Sequence, residues 1–288
     1  SEMVISNSRL WKTAKSTQRL RFQDEVEPRW IQIAGAEPTE MASAARMNAD
    51  LGAQIIDINM GCPAKKVCNK AAGSALLRDE VLVGSILEAV AEAVDVPVTL
   101  KIRLGWSRTE MNATRVARIA EESGIQLLTV HGRTRQCRFA GKVDYEAIAR
   151  VKKSVSMPVI ANGDITGPIQ AQKVLDITGA DGVMIGRAVQ GRPWLPAIVD
   201  QYLQSGELVS EPSMEIIRAT MKGHLEALSD FYGESRGVRV ARKHVGSYLD
   251  ALLGDRARVL KRQFNQLEAS RDQVALIDRI FSQTGIAA

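Results

Sequence analysis

The sequence predicts an α/β protein in which a TIM-type (β/α)8 barrel is followed by a small C-terminal helical bundle, and three observations support this. Short β-branched runs alternate with longer amphipathic stretches between residues 30 and 187, as in βαβ units around a parallel sheet. Polar or glycine residues stand at the ends of these runs, where barrels of this type build their active sites. After Pro193 the strand pattern stops and helix-period segments replace it.

Six runs have the length and composition of buried parallel strands. They cover residues 30–34, 54–60, 98–103, 127–131, 158–162 and 182–186. Segments of helical period lie between them and predict the helices that cover the sheet. Six units do not close an eight-stranded barrel, and the chain opens in a polar stretch ahead of the first clear strand. We therefore expect that the first one or two strands of the barrel are absent from this chain.

The last part of the chain predicts only helices. They are expected at 217–228, 241–252, 257–267 and 271–281. His224 and His244 fall on the apolar faces of the first two, so we expect packed core residues there and not ligands. We assign 1–200 to the barrel and 201–288 to the helical domain.

Composition excludes several classes of protein. An apolar fraction of 45% with 25% charged residues is typical of a globular protein, and no apolar run approaches the ~20 residues that span a bilayer. The N-terminus has no secretory signal, and the cysteines, Cys62, Cys68 and Cys137, are odd in number, which favours a reduced cytoplasmic setting. No CxxC pair is present and the histidines are scattered, so we expect no metal site.

The positive charge is concentrated near the C-terminus. Residues 236–262 include eight basic and two acidic residues and so carry a charge of +6. The rest of the chain carries −1, which gives the net charge of +5. Arg239, Arg242 and Lys243 have the i, i+3, i+4 spacing that predicts one exposed ridge on a helix. Charge runs are usually solvated surface, but this concentration favours binding to a phosphate backbone.

Cys62 is the residue most suited to proton transfer. It lies in NMGCP, where a predicted strand ends and a glycine turns the chain. A thiol with a pKa near ~8.5 is mostly protonated at neutral pH and can give its proton to a carbon that gains negative charge. Free cysteines are commonly buried as small apolar residues, and we prefer that interpretation for Cys68 and Cys137.

Lys101 alternates with aliphatic residues on a predicted strand that should be buried on both sides. A buried lysine requires a negative partner. One partner is the reduced ring of a flavin, whose negative charge an ammonium would stabilise. The alternative is an ion pair with a carboxylate of a neighbouring strand, such as Asp57.

Two strand ends resemble the phosphate cradle of this fold. Asn162, Gly163 and Asp164 end one strand, and Gly186 with Arg187 ends the next. Loops after the last two barrel strands commonly hold a phosphate through bare glycine backbone, which would suit FMN, although glycines also serve in plain turns. For His131, at the end of the strand before them, a hydrogen bond to the flavin and an ordinary strand-end role are both open.

Seven motifs make the sequence similar to a known family. They are INMGCPAKKV, AGSALL, VTLKIRLGW, TVHGRTR, PVIANGDI, VMIGRAVQGRPW and ARKHVGSYL. Together, and in this order, they resemble the tRNA-dihydrouridine synthases, most closely the bacterial B-type branch, over essentially the whole chain. The chain departs from the family at its front, because the family's first strand, with its proline, methionine and alanine, and a second strand do not precede Ser1.

The resemblance implies an FMN enzyme that takes hydride from NADPH and passes it to C6 of a uracil in the tRNA D-loop. Cys62 would then protonate C5 and Asn59 would hold the uracil edge. Arg133, Arg239, Arg242 and Lys243 would contact RNA. The implied FMN contacts are Gln32, Lys101, His131, Asn162, Gly163, Asp164, Gly186 and Arg187.

We expect a cytoplasmic monomer with no membrane or metal partner. Two other interpretations stay open at this point. One is an FMN barrel that reduces a small pyrimidine or an enone, which leaves the basic tail without a task. The other is a catalytically incomplete fragment that only binds RNA.

Overall fold

A sheet of parallel strands organises the first part of the computed structural model, which describes residues 3–7, 18, 20–22, 25–68 and 72–283. The strands are β1 Val4–Ile5, β2 Trp30–Ala34, β3 Ile55–Met60, β4 Val98–Arg103, β5 Gly105–Ser107, β6 Glu110–Met111, β7 Leu127–His131, β8 Val159–Asn162 and β9 Gly182–Met184. Seven of them form one sheet in the order β1-β2-β3-β4-β7-β8-β9, and every neighbouring pair is parallel. The remaining two, β5 and β6, pair as an antiparallel hairpin directly after β4.

Helices connect successive strands of the sheet, as right-handed βαβ crossovers require. They are α1 Pro38–Asp50, α2 Lys65–Cys68, α3 Glu80–Ala91, α4 Ala113–Glu122, α5 Tyr145–Lys152 and α6 Pro168–Thr178, with a 3-10 turn at Gly73–Arg78. Two of these helices begin at aspartate caps. The side chain of Asp79 accepts from the backbone N–H of Leu82 at 3.0 Å, and that of Asp144 accepts from Ala147 at 2.8 Å.

Alternation along the strands separates an apolar face from a polar one. On β3 the side chains of Ile56 and Ile58 are fully buried, while Asp57 and Asn59 alternate with them and lie on the opposite face. The same alternation on β4 places Lys101 between two fully buried aliphatic residues. The polar face of the sheet therefore carries side chains that can do chemistry.

The chain divides into two compact units, the first containing residues 1–165 and 172–184 and the second 166–171 and 185–288. Helices of the second unit are α7 Leu195–Ser205, α8 Met214–Tyr232, α9 Glu234–Leu253, α10 Ala257–Gln266 and α11 Ser270–Gln283, with 3-10 turns at Arg187–Val189 and Gly254–Arg256. Ile217, Met221, Val245, Phe264 and Ile277 are among the residues that form its apolar core. No helix in the described ranges is long and apolar enough to cross a membrane.

The predicted fold class is confirmed, as a mixed α/β fold of TIM-barrel type followed by a helical region. The six predicted strands appear as β2, β3, β4, β7, β8 and β9, and the four tail helices appear as α8 to α11. The count of six strands was one too few, because the two-residue strand β1 pairs with β2. The long segment of the second unit begins at Ile185 and includes α7, whereas the predicted domain boundary lies at residue 200. That boundary stays a prediction.

Candidate active site

The strand register brings polar residues of five strands onto one face of the sheet. Aligned residues of neighbouring strands share a face, and so do residues two apart on one strand. The aligned rows are Gln32, Asp57 and Thr99, then Asn59 and Lys101, then Arg103, His131 and Asn162. Five of these eight residues were predicted as site residues, and the structure brings those five together on this face.

A continuous chain of hydrogen bonds runs along the first two rows. The indole N–H of Trp30 donates to Thr99 Oγ1 at 3.2 Å, and that hydroxyl donates to Asp57 Oδ1 at 2.7 Å. Gln32 Nε2 donates to Asp57 Oδ2 at 2.5 Å, and Gln32 Oε1 accepts from Asn59 Nδ2 at 2.7 Å. Because a carboxylate only accepts, Asp57 sets the orientation of both amides.

This chain ends at the backbone of the loop that carries Cys62. Asn59 Oδ1 accepts from the N–H groups of Gly61 at 3.1 Å and Cys62 at 2.9 Å. The carbonyl of Cys62 accepts from the N–H of Ser74 at 3.1 Å, from its hydroxyl at 2.8 Å and from the thiol of Cys68 at 3.5 Å. The backbone of Cys62 is therefore held from both sides.

The two other cysteines differ from their predicted role as buried apolar residues. Both are only half-buried and hydrogen-bonded. The thiol of Cys68 lies near Cys62 as described above, and a hydrogen bond with Thr134 lowers the pKa of the Cys137 thiol. Cys68 ends α2 and Cys137 lies in the loop after β7, so neither belongs to the core of the sheet.

Lys101 Nζ donates to Asn162 Oδ1 at 3.2 Å, and burial lowers the pKa of this lysine to about 8. Among the residues that the structure describes, Lys101 forms no ion pair with Asp57, whose two oxygens accept from Gln32 and Thr99. Burial also raises the pKa of the Asp57 carboxyl, against the hydrogen bonds of Gln32 and Thr99 and the charge of Lys101. The buried ammonium can therefore accept a further negative partner.

His131 is buried and neutral. Burial lowers its pKa to about 3, and the charges of Arg103, Lys101 and Arg133 act in the same direction. Its Nε2 is buried without a hydrogen-bond partner among the described residues. Buried polar atoms are nearly always hydrogen-bonded, so this atom indicates a partner beyond the described residues, and a ligand on this face is one such partner.

Gly163 follows β8 with a φ of +128°, a conformation that favours glycine. A Cβ atom here would lie 2.9 Å from Val143 Cγ2 and 3.2 Å from the ring of His131. The hydroxyl of Tyr145 donates to the Gly163 carbonyl at 2.8 Å. The next residue, Asp164, has a φ of +49° and continues the tight turn. The backbone at this strand end is thus shaped by a glycine that no other residue replaces without strain.

Arg133 was predicted to contact RNA, but its side chain is only 3% exposed. The guanidinium donates to both oxygens of Asp164, at 2.9 and 2.5 Å, and to the carbonyls of Ala140 and Gly141. A bidentate ion pair and backbone acceptors use its donors inside the protein. Its geometry corrects the expectation, since Arg133 closes the loop between residues 133 and 142 and does not face solvent.

Arg103 is a site residue that sequence reasoning did not select. Its Nε donates to the carbonyl of Gly61 at 2.8 Å, and its Nη1 donates to the carbonyls of Thr134 at 3.1 Å and Arg138 at 2.7 Å. Burial and the charge of Arg133 lower its pKa to about 10, so it stays charged at neutral pH. Its position two residues after Lys101, on the same face of β4, was the sequence signal that could have identified it as a site residue.

Gly186 and Arg187 belong to the second unit and are exposed. Gly186 precedes the 3-10 turn at Arg187–Val189, and no atom lies within 4 Å of the position where a Cβ would stand. The space above this backbone is open, as a close approach of a ligand requires. The phosphate cradle that includes them stays a prediction.

The predicted basic ridge lies on α9, but its three residues differ. Arg239 and Lys243 are exposed. Arg242 is half-buried, donates to the carbonyl of Leu267 at 3.2 Å and has a buried Nε. Arg242 therefore packs against the turn after α10, and only Arg239 and Lys243 present their charges to solvent.

His224 and His244 lie between α8 and α9, with ring centroids 4.8 Å apart, and burial lowers the pKa of both. Each ring is partly exposed, so they lie at the border of the core that was predicted to contain them. Across the described residues, no group of three or more His, Cys, Asp or Glu side chains is placed to hold a metal ion.

Comparison with known proteins identifies the family. The family model described as dihydrouridine synthase matches residues 1–284. The chain belongs to the dihydrouridine synthase family. Its members are oxidoreductases, and this chain is therefore an enzyme of that class.

Curated relatives of this family member agree with the B-type resemblance. The tRNA-dihydrouridine synthase B of Pseudomonas aeruginosa is 54% identical over 293 residues, which cover 100% of this chain and 88% of the relative. The protein of the same name from Proteus vulgaris is 53% identical over 281 residues, covering 98% of this chain and 86% of the relative. That from Pseudomonas putida is 53% identical, covering 98% and 83%.

Proposed function

We propose that this enzyme reduces uridine in the D-loop of tRNA to 5,6-dihydrouridine, with FMN as its cofactor and NADPH as the reductant. The observation that carries the proposal is one polar face that holds Lys101, the Cys62 loop and the buried Nε2 of His131, which has no hydrogen-bond partner among the residues described. Family membership and relatives named tRNA-dihydrouridine synthase B support the substrate.

The residues present fit a flat, anionic group. Within the described part of the chain, His131 offers a buried nitrogen without a hydrogen-bond partner, and Lys101 offers a buried ammonium with one acceptor. Gly163 brings backbone, and no side chain, to the same strand end. Gln32 and Asn162 complete this set in the first unit, with the backbone at Asp164 assigned to the phosphate. Gly186 and Arg187 belong to the other unit, and their part in phosphate binding stays a prediction from the sequence. When bound, FMN would supply the hydride for C6 of the uracil, having received it from NADPH.

Cys62 holds the proton that the reaction requires at C5. Hydride at C6 leaves an electron pair at C5, and the thiol proton completes the new C–H bond, leaving a thiolate that solvent reprotonates. The hydrogen bond that the Cys62 N–H donates to Asn59 and the one that the Cys62 carbonyl accepts from Ser74 fix the backbone from which this thiol projects. Asn59 keeps one N–H free of the contacts described above, which suits the edge of a uracil.

The chain would act as a monomer in the cytoplasm, where reducing conditions keep Cys62 a thiol. Arg239 and Lys243 would contact the tRNA backbone. Sedimentation velocity of the purified protein checks the first statement, with a species of 31.4 kDa as the expected result.

The test compares Cys62→Ala with two matched controls, Cys137→Ala and Cys68→Ser, of which the second keeps a donor for the Cys62 carbonyl. A yellow parent protein should convert uridine to dihydrouridine in a tRNA transcript when NADPH is added, as measured by mass spectrometry of the nucleosides. Cys62→Ala should keep the flavin absorbance and tRNA affinity but lose product formation by a factor of at least about 100, the size of a general-acid contribution. The two control variants should keep most of the activity.

Parent-like rates in Cys62→Ala would remove Cys62 from the proposed role. A colourless parent protein that does not take up added FMN would contradict the cofactor. Reduction of free uracil at a rate equal to that of tRNA would favour the small-substrate barrel in place of the proposed function.

A further inference from the structure

The loop after β7 is strongly basic. Residues 133–142 read RTRQCRFAGK and contain four basic residues and no acidic one. The residues outside 236–262 carry a summed charge of only −1, so a count over all of them does not reveal this basic loop. Arg133 uses its charge on Asp164, which leaves Arg135, Arg138 and Lys142.

Buried arginines fix the shape of this loop at both ends. Arg138 is one of two described residues other than glycine with a positive φ, at +51°, and its carbonyl accepts from Arg103. At the far end, Arg133 donates to the carbonyls of Ala140 and Gly141. A loop held in one conformation loses little entropy when a ligand binds.

The loop also packs against the β5–β6 hairpin. The N–H of Arg135 donates to the carbonyl of Gly105 at 2.9 Å, and that of Gln136 donates to the carbonyl of Trp106 at 3.0 Å. The Arg135 guanidinium lies 4.4 Å from the centroid of the Trp106 ring. Hairpin and loop thus form one continuous surface, called here the rim surface, which contains Trp106, Arg108, Arg135, Arg138, Phe139 and Lys142.

An aromatic ring stands among the exposed charges of the rim surface. Phe139 is 55% exposed, and its ring lies 5.5 Å from the guanidinium carbon of Arg103. Arg108, Arg138 and Lys142 are exposed as well. Exposed cations beside an exposed aromatic ring are the elements with which proteins bind single-stranded nucleic acid, since cations meet phosphates and the ring stacks on a base.

One side chain connects the rim surface to the Cys62 loop. The guanidinium of Arg103 donates both to the carbonyl of Gly61, next to Cys62, and to the carbonyl of Arg138, next to Phe139. A strand of RNA with one base at Cys62 would therefore have its neighbouring nucleotides within reach of Phe139.

We propose that the rim surface binds the RNA nucleotides that flank the target uridine. A flanking base stacks on Phe139, and Arg108, Arg138 and Lys142 contact phosphates. A uridine must leave its stack to react, and a stacking partner beside the site compensates the neighbour that loses its contact. The inference rests on the proposed function, because it takes tRNA as the substrate.

The stacking partner is tested with Phe139→Leu, Phe139→Tyr and the parent, by fluorescence anisotropy of a labelled tRNA transcript. Leu keeps the apolar bulk and removes the π-face, so it should weaken binding about tenfold, whereas Tyr should stay within about twofold of the parent. Flavin absorbance and the thermal midpoint of each variant check that the barrel is intact. Equal affinity of Leu and Tyr variants would overturn the stacking role.

The phosphate contacts are tested through the salt dependence of binding. The pair Arg138→Gln with Lys142→Gln should make the slope of log affinity against log salt shallower by about one to two units. The matched control is Arg46→Gln with Arg118→Gln, which removes two exposed charges from α1 and α4 and should leave the slope unchanged. An equal change in both pairs would overturn the proposal.

The rim-surface proposal and the proposed function can be rejected separately. If the parent protein makes dihydrouridine while the rim variants bind and react like the parent, only the rim surface is rejected. If the parent makes no dihydrouridine in tRNA under any condition, the proposed function is rejected, and the binding measurements still decide whether the rim surface meets RNA.

Discussion

His131 gives the barrel a stability that depends on pH. Its pKa in the folded protein is about 3, far below the value of about 6.5 in an unfolded chain. Between these two pH values the unfolded chain therefore binds one more proton at His131 than the folded protein does. The contribution of His131 to the free energy of unfolding is fully present above about pH 6.5 and is lost as the pH falls. We expect His131 to contribute a slope of about 1.4 kcal/mol per pH unit between pH 6 and 4 in the free energy of unfolding.

The replacement His131→Gln checks this contribution, because glutamine keeps a polar side chain that does not titrate. Urea unfolding of the variant at several pH values should show a smaller slope than the parent. His224 and His244 also have lowered pKa values and contribute to the slope with the same sign, so the slope of the variant should be smaller but not zero. An unchanged slope in the variant would mean that His131 is not buried in its neutral form.

Gly163 should tolerate no side chain. Gly163→Ala places a methyl group 2.9 Å from Val143 at a φ of +128°, so both strain and overlap act against it. We expect a loss of stability of about 1–3 kcal/mol and weaker retention of flavin. Gly167→Ala is the control, because no atom lies within 4 Å of its Cβ position. Thermal unfolding followed by flavin absorbance measures both effects, and equal midpoints for the two variants would contradict the prediction.

Strands β2, β3 and β4 together position the Cys62 loop through their hydrogen-bonded row. Replacing Asp57→Ala leaves Gln32 Nε2 without its acceptor, so the amide of Gln32, and with it that of Asn59, loses its fixed orientation. We expect kcat to fall about tenfold, which corresponds to the loss of one hydrogen bond to a charged group. The KM for tRNA should change little, because the phosphate contacts that dominate RNA affinity lie outside this chain of hydrogen bonds.

Thr99→Val is the comparison for that prediction. It removes the hydroxyl that donates to Asp57 but leaves the bond between Asp57 and Gln32 in place. Steady-state kinetics should give it a kcat closer to the parent than that of Asp57→Ala. A fall in both variants by the same factor, with matching losses of thermal stability, would reduce the row to a packing role.

Strands and tail helices could be predicted from the sequence because their signals are local. The β-branched runs of β2, β4 and β7 are continuous, and their predicted bounds agree with the structure. Strand β1 was missed because two residues in a polar stretch carry no period. The partners of Lys101 and Arg133 depend on register and loop conformation, which a sequence alone does not specify. The partner of Lys101 was therefore left open, and the burial of Arg133 against Asp164 was not foreseen.

At the scale of the whole molecule, basic charge occurs in both compact units. The first unit carries the rim surface, and the second carries Arg239 and Lys243 on α9. These two side chains are exposed, whereas Arg242 on the same helix is held by the Leu267 carbonyl. Sequence spacing alone grouped the three residues, and burial separates them into two with charge available for RNA and one with a packing role.

The separation predicts opposite results for variants of one helix. Arg239→Gln with Lys243→Gln should leave the thermal midpoint unchanged and make the salt slope of tRNA binding shallower by about two units, one for each lost phosphate contact. Arg242→Gln should lower the midpoint, because a buried carbonyl loses its donor, and should leave the salt slope near that of the parent. Anisotropy titrations between low and high salt, with melting curves of the same samples, decide the matter. A steeper loss of binding in Arg242→Gln than in the double variant would restore the ridge of three residues and would show that Arg242 leaves its partner to reach the RNA.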